Sequence, residues 1–216
     1  MSHLIADVPF ISQLEKYPTG CESVSAVMLL NCLGIRITPE AFIDRHLPKG
    51  KAPLQGEDGI FYGCDPWQAF PGDPYSRDGW GCFAPALKTA VLSAVKECAE
   101  KPERFNVSDQ YHLPLPQVVH QYIDRDIPVV FWATIGMAEG RNTLRWQTPE
   151  GRQIQWVSPM HCTLLIGYET GPDGEISAYV FNDPTSGALS RFDAKSVEAA
   201  YQVQHEQILT IEALPE

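Results

Sequence analysis

Basic side chains are scarce in this sequence. Lysine and arginine number 16 against 27 aspartates and glutamates, a formal net charge of −11 at pH 7. Nucleic acid demands clustered cations against its phosphates, so the deficit argues against a nucleic-acid partner. It argues equally against an anionic membrane surface. Long hydrophobic runs are missing too. Stretches such as "IPVVFWATIG" at 127–136 are too short to cross a bilayer and suit a buried strand, so no membrane span is expected. The opening "MSHLIADVPF" lacks the charged and apolar regions of a signal peptide, which points to the cytoplasm unless a longer precursor carries a leader. Six cysteines are present, but none forms a CxxC pair and no histidines stand at zinc-finger spacing. Free thiols are therefore expected, with no structural zinc site. Neither an internal repeat nor a linker-like change of composition interrupts the 216 residues, which read as one domain over 1–216.

What is present divides into helices first and strands later. "LIADVPFISQ" reads as a short strand or extended arm. Thr19 followed by Glu22 has the form of a capping box, predicting a helix with Thr19 as N-cap and Cys21 at about its second position. Val24, Val27, Met28 and Asn31 recur at helical spacing, and Gly34 marks a stop. Thr38 and Pro39 start a shorter helix. From about 48 to 83 periodicity fades into a loop rich in glycine, proline and aromatics, densest over 56–83. It reads either as a groove wall or as a satellite aromatic core. Helices follow near 85–98 and 116–125. Then come strands at "PVVFWATI", "MHCTLLIGYE", "ISAYVFND", "LSRF" and "QILTIE", with a short helix at "DAKSVEAAY". The order predicts an α+β fold on a mostly antiparallel sheet.

Candidate chemistry centres on Cys21. A thiol reacts as thiolate, and a helix N-terminus lowers its pKa. The competing reading is a packed, inert cysteine, and Cys82 in "GWGCFAP" has a similar claim. A nucleophile needs a base and the base an orienting group. His161 opens one predicted strand and Asp183 ends the next, with the turn signal "GPDG" between them. Folding a hairpin about 171–174 sets position 161 opposite about 183 or 184, within a slip of one or two residues. Cross-strand neighbours lie roughly 4.5–5.5 Å apart at Cβ, so a His–Asp pair is expected. Asn182 is the alternative orienter on the other face. The remaining histidines, His3, His46, His112, His120 and His205, read as solvated surface residues. Backbone N–H of Cys21 and the side-chain amide of Gln13 could both donate to an oxyanion.

"VPFISQLEKYPTGCESVSAVMLLNCLG" resembles the N-terminal motif of stand-alone C39-like cysteine peptidases. "PGDPYSRDGWGCFAPAL", "HCTLLIGYE" and "VFNDPTSG" resemble further blocks of that family in the same order, over about residues 8–211. The resemblance implies a papain-like α+β fold, with a nucleophile helix packed on an antiparallel sheet. On matching positions it implies Gln13 as oxyanion donor, Cys21 as nucleophile, His161 as general base then acid, and Asp183 as orienter. It implies a peptide or protein substrate and no metal or organic cofactor. Trp67, Tyr75 and Trp80 of the aromatic loop are the expected groove residues. An acyltransferase using the same triad, or a catalytically silent peptide-binding module, would carry the same residues. Nothing in the chain resembles the transporters to which the best-known family members are fused.

Overall fold

A computed structural model describes residues 2–214; Met1, Pro215 and Glu216 of the expected 1–216 domain lie outside the described residues. The helices are α1 (Cys21–Cys32), α2 (Pro39–Arg45), α3 (Ala84–Cys98), α4 (Leu115–Gln121) and α5 (Ala194–Val203). The first strands are short: β1 (His3–Leu4), β2 (Lys49–Gly50), β3 (Leu54–Gln55), β4 (Phe61–Tyr62) and β5 (Phe70–Pro71). Longer ones follow: β6 (Phe105–Tyr111), β7 (Val129–Thr134), β8 (Arg141–Gln147) and β9 (Gln153–Ser158). The last are β10 (Met160–Thr170), β11 (Ile176–Asp183), β12 (Gly187–Asp193) and β13 (Gln207–Ala213).

A seven-stranded sheet runs β12-β11-β10-β7-β13-β6, with β1 added beside the far end of β10. Every pairing within it is antiparallel. Its centre explains the apolar run at 129–134. Successive strand side chains point to opposite faces, and here both faces are covered. Val130 and Trp132 join a core with α1 and α3. Val129, Phe131 and Ala133 join a second core with α4 and α5. Among the described residues no helix is long and apolar enough to cross a membrane.

Helix α1 is buried from Cys21 through Leu30, so it has no solvent face, and Glu22, Ser23 and Ser25 enter the core with their apolar neighbours. Ser25 Oγ donates to the Cys162 carbonyl of β10 at 3.3 Å, fixing the helix against the strand. The expected capping box does not form. Gly20 is the N-cap and makes no side-chain cap bond, which puts Cys21 at the first helical position. Thr19 Oγ1 instead donates to the Ser76 carbonyl at 2.9 Å, and Glu22 turns inward. Helix α2 starts as expected, Thr38 accepting from Ala41 N–H with Pro39 in the first turn.

The 48–83 segment is built from β2 paired with β5, and β3 and β4 attached to β8 and β9 in a four-stranded sheet. The β8–β9 hairpin has no counterpart in the sequence reading. It brings Trp146 and Trp156 to Trp80, ring centroids 5.6–5.7 Å apart. His46 is buried rather than solvated.

Candidate active site

Three segments meet at the start of α1. The β10–β11 hairpin pairs Leu164 with Asn182 and Leu165 with Phe181. Continued to its end, that ladder sets 161 opposite 185, within two positions of the expected register. Asp183 nonetheless reaches His161, its Oδ1 lying 2.8 Å from Nε2, and both residues are at most 1% exposed. The same Oδ1 accepts from Thr185 N–H (2.8 Å), Thr185 Oγ1 (2.8 Å) and Ser186 N–H (3.2 Å). Burial alone would raise the Asp183 pKa. The His161 bond and charge, with the Thr185 donors, outweigh burial and hold the carboxyl well below the usual carboxylate range. Asp183 is thus the ionised hydrogen-bond partner of the His161 ring. Asn182 is committed elsewhere, its amide donating to the Val8 and Pro9 carbonyls.

Cys21 sits against the same strand. Ser25 of the same helix bonds the carbonyl of Cys162, the residue after His161, and the nearby backbone of Cys162 and Glu22 acts to lower the Cys21 pKa. The Cys21 thiol donates to Glu22 Oε2 at 3.3 Å. The helix terminus does not win electrostatically, contrary to the sequence expectation. Desolvation raises the Cys21 pKa well above its ordinary value, and the neighbouring Glu22 charge raises it further. In this geometry the thiol is protonated and parked on a carboxylate.

Glu22 is the residue that sequence reasoning missed. It is 0% exposed, and its Oε1 accepts from Cys82 N–H at 2.6 Å. Burial lifts its pKa to about 7, against bonds from its own amide, Cys82 N–H and the Cys21 thiol. The approach of the 79–83 turn requires glycine at 81. Gly81 has φ +141°, and a Cβ there would collide with Met160 Cε and lie 2.6 Å from Glu22 Oε1. Cys82 is a structural residue: its carbonyl accepts from Trp132 Nε1 at 2.9 Å, and burial pushes its thiol pKa up. The only sequence signal for Glu22 was its place next to Cys21, which the capping pattern explained away. Thr185 was also missed, although Asp-x-Thr is the spacing of a side chain turned onto its own backbone.

Gln13 is buried in the loop before α1. Its backbone N–H donates to the Pro184 carbonyl (3.0 Å), so the loop is tied to the residue following Asp183. Side-chain Nε2 donates to the Pro18 carbonyl at 3.2 Å, using one of its two hydrogens, while Oε1 has no partner among the described residues.

The aromatic-loop residues separate. Trp80 lines a cleft of about 540 Å³ with Leu54, Gly79, Trp156, Pro159 and Met160, and Met160 directly precedes His161. Trp67 packs instead on Phe83 (4.7 Å) and His205 (5.3 Å), with Arg152 over its ring. Tyr75 donates to Asp44 Oδ1 at 3.0 Å and tilts against Tyr17, bracing the turn that leads into Cys21. All six cysteines are free.

A family model described as the Peptidase_C39 like family matches residues 5–209. No curated protein matches the chain. A crystal structure from Bacillus anthracis, provisionally assigned as a C39-like peptidase, is similar with a TM-score of 0.81 at 20% identity, covering 100% of both chains. At that identity the likeness speaks for the fold alone, which agrees with the mixed α/β architecture and its antiparallel sheet. The family match spans nearly the whole chain and includes every residue of the site described above: the chain belongs to the Peptidase_C39 like family.

Proposed function

We propose that the protein is a papain-like cysteine peptidase or amidase acting through Cys21, His161 and Asp183. The observation that carries this reading is the buried His161–Asp183 pair at 2.8 Å, on the strand to which Ser25 of the Cys21 helix is hydrogen-bonded at the Cys162 carbonyl. Asp183 fixes the tautomer, leaving the other ring nitrogen of His161 as proton acceptor.

When a peptide carbonyl arrives, the Cys21 proton passes to His161 and sulfur attacks the carbonyl carbon. The oxyanion is held by Cys21 N–H, an orphan donor of the first helical turn, and by the second N–H of Gln13. Imidazolium returns the proton to the leaving amine as the C–N bond breaks. Neutral His161 then activates water, and the carboxylic acid leaves. Glu22 holds the thiol protonated until substrate displaces that arrangement. The Trp80–Met160 cleft receives an apolar side chain of the substrate.

Incubating the chain with peptide amides of varied sequence and identifying products by mass is the direct test. Cys21→Ala and His161→Ala are each expected to lower turnover on the order of a thousandfold or more. Turnover surviving in Cys21→Ala would sink the assignment. Added amines appearing in the products would make the protein an acyltransferase. A thiol-directed electrophile labelling Cys21 no faster than Cys32, with no turnover of any peptide, would leave a binding module.

A further inference from the structure

At the opposite end of α3 from Cys82, three metal-ligating side chains converge. His46 caps the C-terminus of α2, and its side chain is 1% exposed. Its Nδ1 lies 2.9 Å from Ser93 Oγ on α3, whereas Nε2 is buried with no hydrogen bond among the described residues. A buried ring nitrogen left without a partner is costly unless it has another use. Nε2 faces the last turn of α3, where Glu97 Oε2 stands 3.8 Å away and Cys98 Sγ completes a set of atoms all within 4.8 Å of one another. Glu97 is half-exposed, which opens a path from solvent.

We propose that His46 Nε2, Glu97 and Cys98 Sγ form a binding site for a zinc-class divalent cation that clamps α2 to α3. The donor set is one imidazole nitrogen, one carboxylate oxygen and one thiolate sulfur, the mixture that suits borderline-soft ions rather than Mg²⁺ or Ca²⁺. In a tetrahedral zinc site, N and O ligands at roughly 2.0–2.1 Å from the ion are about 3.3 Å apart. The observed 3.8 Å between Nε2 and Oε2 therefore closes with a small movement of the flexible Glu97 side chain. In the tautomer that metal binding selects, Ser93 Oγ, 2.9 Å from Nδ1, accepts its proton and Nε2 presents its lone pair to the ion, the outer-shell support that imidazole ligands require. Arg45 now holds Glu97 Oε1 at 2.6 Å, and that exposed pair gives way or stays on the non-ligating oxygen. Cys98 binds as thiolate, its proton passing to solvent, and water takes the fourth position. The site is separate from the catalytic chemistry: α3 has 15 residues, about 22 Å at 1.5 Å per residue. Its role is structural or regulatory.

The test uses the full chain in a Cys21→Ser background, so that the catalytic thiol contributes no ligand. Chelator-stripped protein is titrated with Co²⁺, and then Zn²⁺ displaces it. The expected result is one equivalent of Co²⁺ with a thiolate-to-cobalt charge-transfer band. The band is lost in Cys98→Ser and retained in Cys32→Ser. Ser93→Ala, acting through His46, is expected to weaken binding by about 10–100-fold. If His46→Gln does not fold, Glu97→Gln and Cys98→Ser carry the test, since both change half-buried or exposed positions at a helix end. Absence of stoichiometric binding, or a band unchanged in Cys98→Ser, would overturn the proposal. Neither result bears on turnover by Cys21, which is measured on the unmodified chain.

Discussion

Ionising Glu22 places a negative charge beside a thiol in a pocket closed to water, and two measurable effects follow. The unfolded chain gives up this proton near 4.5, while the folded chain keeps it to about 7. Stability from this group is therefore greatest below pH 4.5, declines between 4.5 and 7, and stays reduced above 7 by about 3 kcal/mol. Glu22→Gln keeps an acceptor for Cys82 N–H and removes the titration. Its stability relative to the parent should be near zero at pH 4 and rise toward that figure at pH 8. A difference independent of pH in denaturant unfolding would contradict the assignment. The same variant turns an N–H toward Cys21, so alkylation at pH 7 should accelerate on the order of tenfold. Asp183 has the opposite sign. Its pKa is held below the usual 3.8, so its contribution is fully present above that value and lost as pH falls from there through the lowered folded-state pKa. Asp183→Ala leaves His161 buried without its partner and is expected to cost about 3–5 kcal/mol at pH 7, measured by urea unfolding. The turn signal and strand lengths sufficed to bring His161 and Asp183 within reach, although the ladder runs one to two positions off the expected register. Glu22 was not legible, because the same four residues satisfy a capping box on paper and only the packed core decides which way the carboxyl turns.

Among elements, the 79–83 turn and the β8–β9 hairpin matter most to the site, since both press on it from outside the sheet. Gly81→Ala forces a side chain into Met160 and Glu22 at a backbone angle that favours glycine. A loss of about 1–3 kcal/mol is expected, with a changed pH profile of Cys21 alkylation. An alkylation profile identical to the parent's would show that the turn does not set the Glu22 position. Trp146 is buried, donates to the Cys64 carbonyl at 3.0 Å and packs on Trp80 and Trp156. Trp146→Ala is expected to cost about 3–5 kcal/mol by the same unfolding measurement. The hairpin escaped sequence reading for a physical reason. Its strand "RNTLRWQ" carries charged and polar residues on both sides, because β8 is largely solvated and only Trp146 is fully buried. The strands expected at "PVVFWATI", "MHCTLLIGYE", "ISAYVFND", "LSRF" and "QILTIE" all form, and all but the edge strand at "LSRF" carry a buried apolar run.

For the whole molecule, the antiparallel sheet between two apolar cores is the frame on which the site depends. Backbone amides of β7 and β10, flanked by strands on both sides and covered on both faces, should be the slowest to exchange with deuterium. Faster exchange there than in β12 would contradict the described order. Composition and strand count made the α+β class legible, but the strand order was not, because which strand lies beside which depends on helix packing that no local pattern records. That order has a further consequence. The last strand of the chain, β13, lies inside the sheet between β7 and β6 rather than at an edge. A ribosome therefore releases Cys21 early but cannot complete the sheet behind it until residues 207–213 have emerged. Fragments from premature termination lack an interior strand, so the Cys21 thiol is made well before the sheet it packs against is complete.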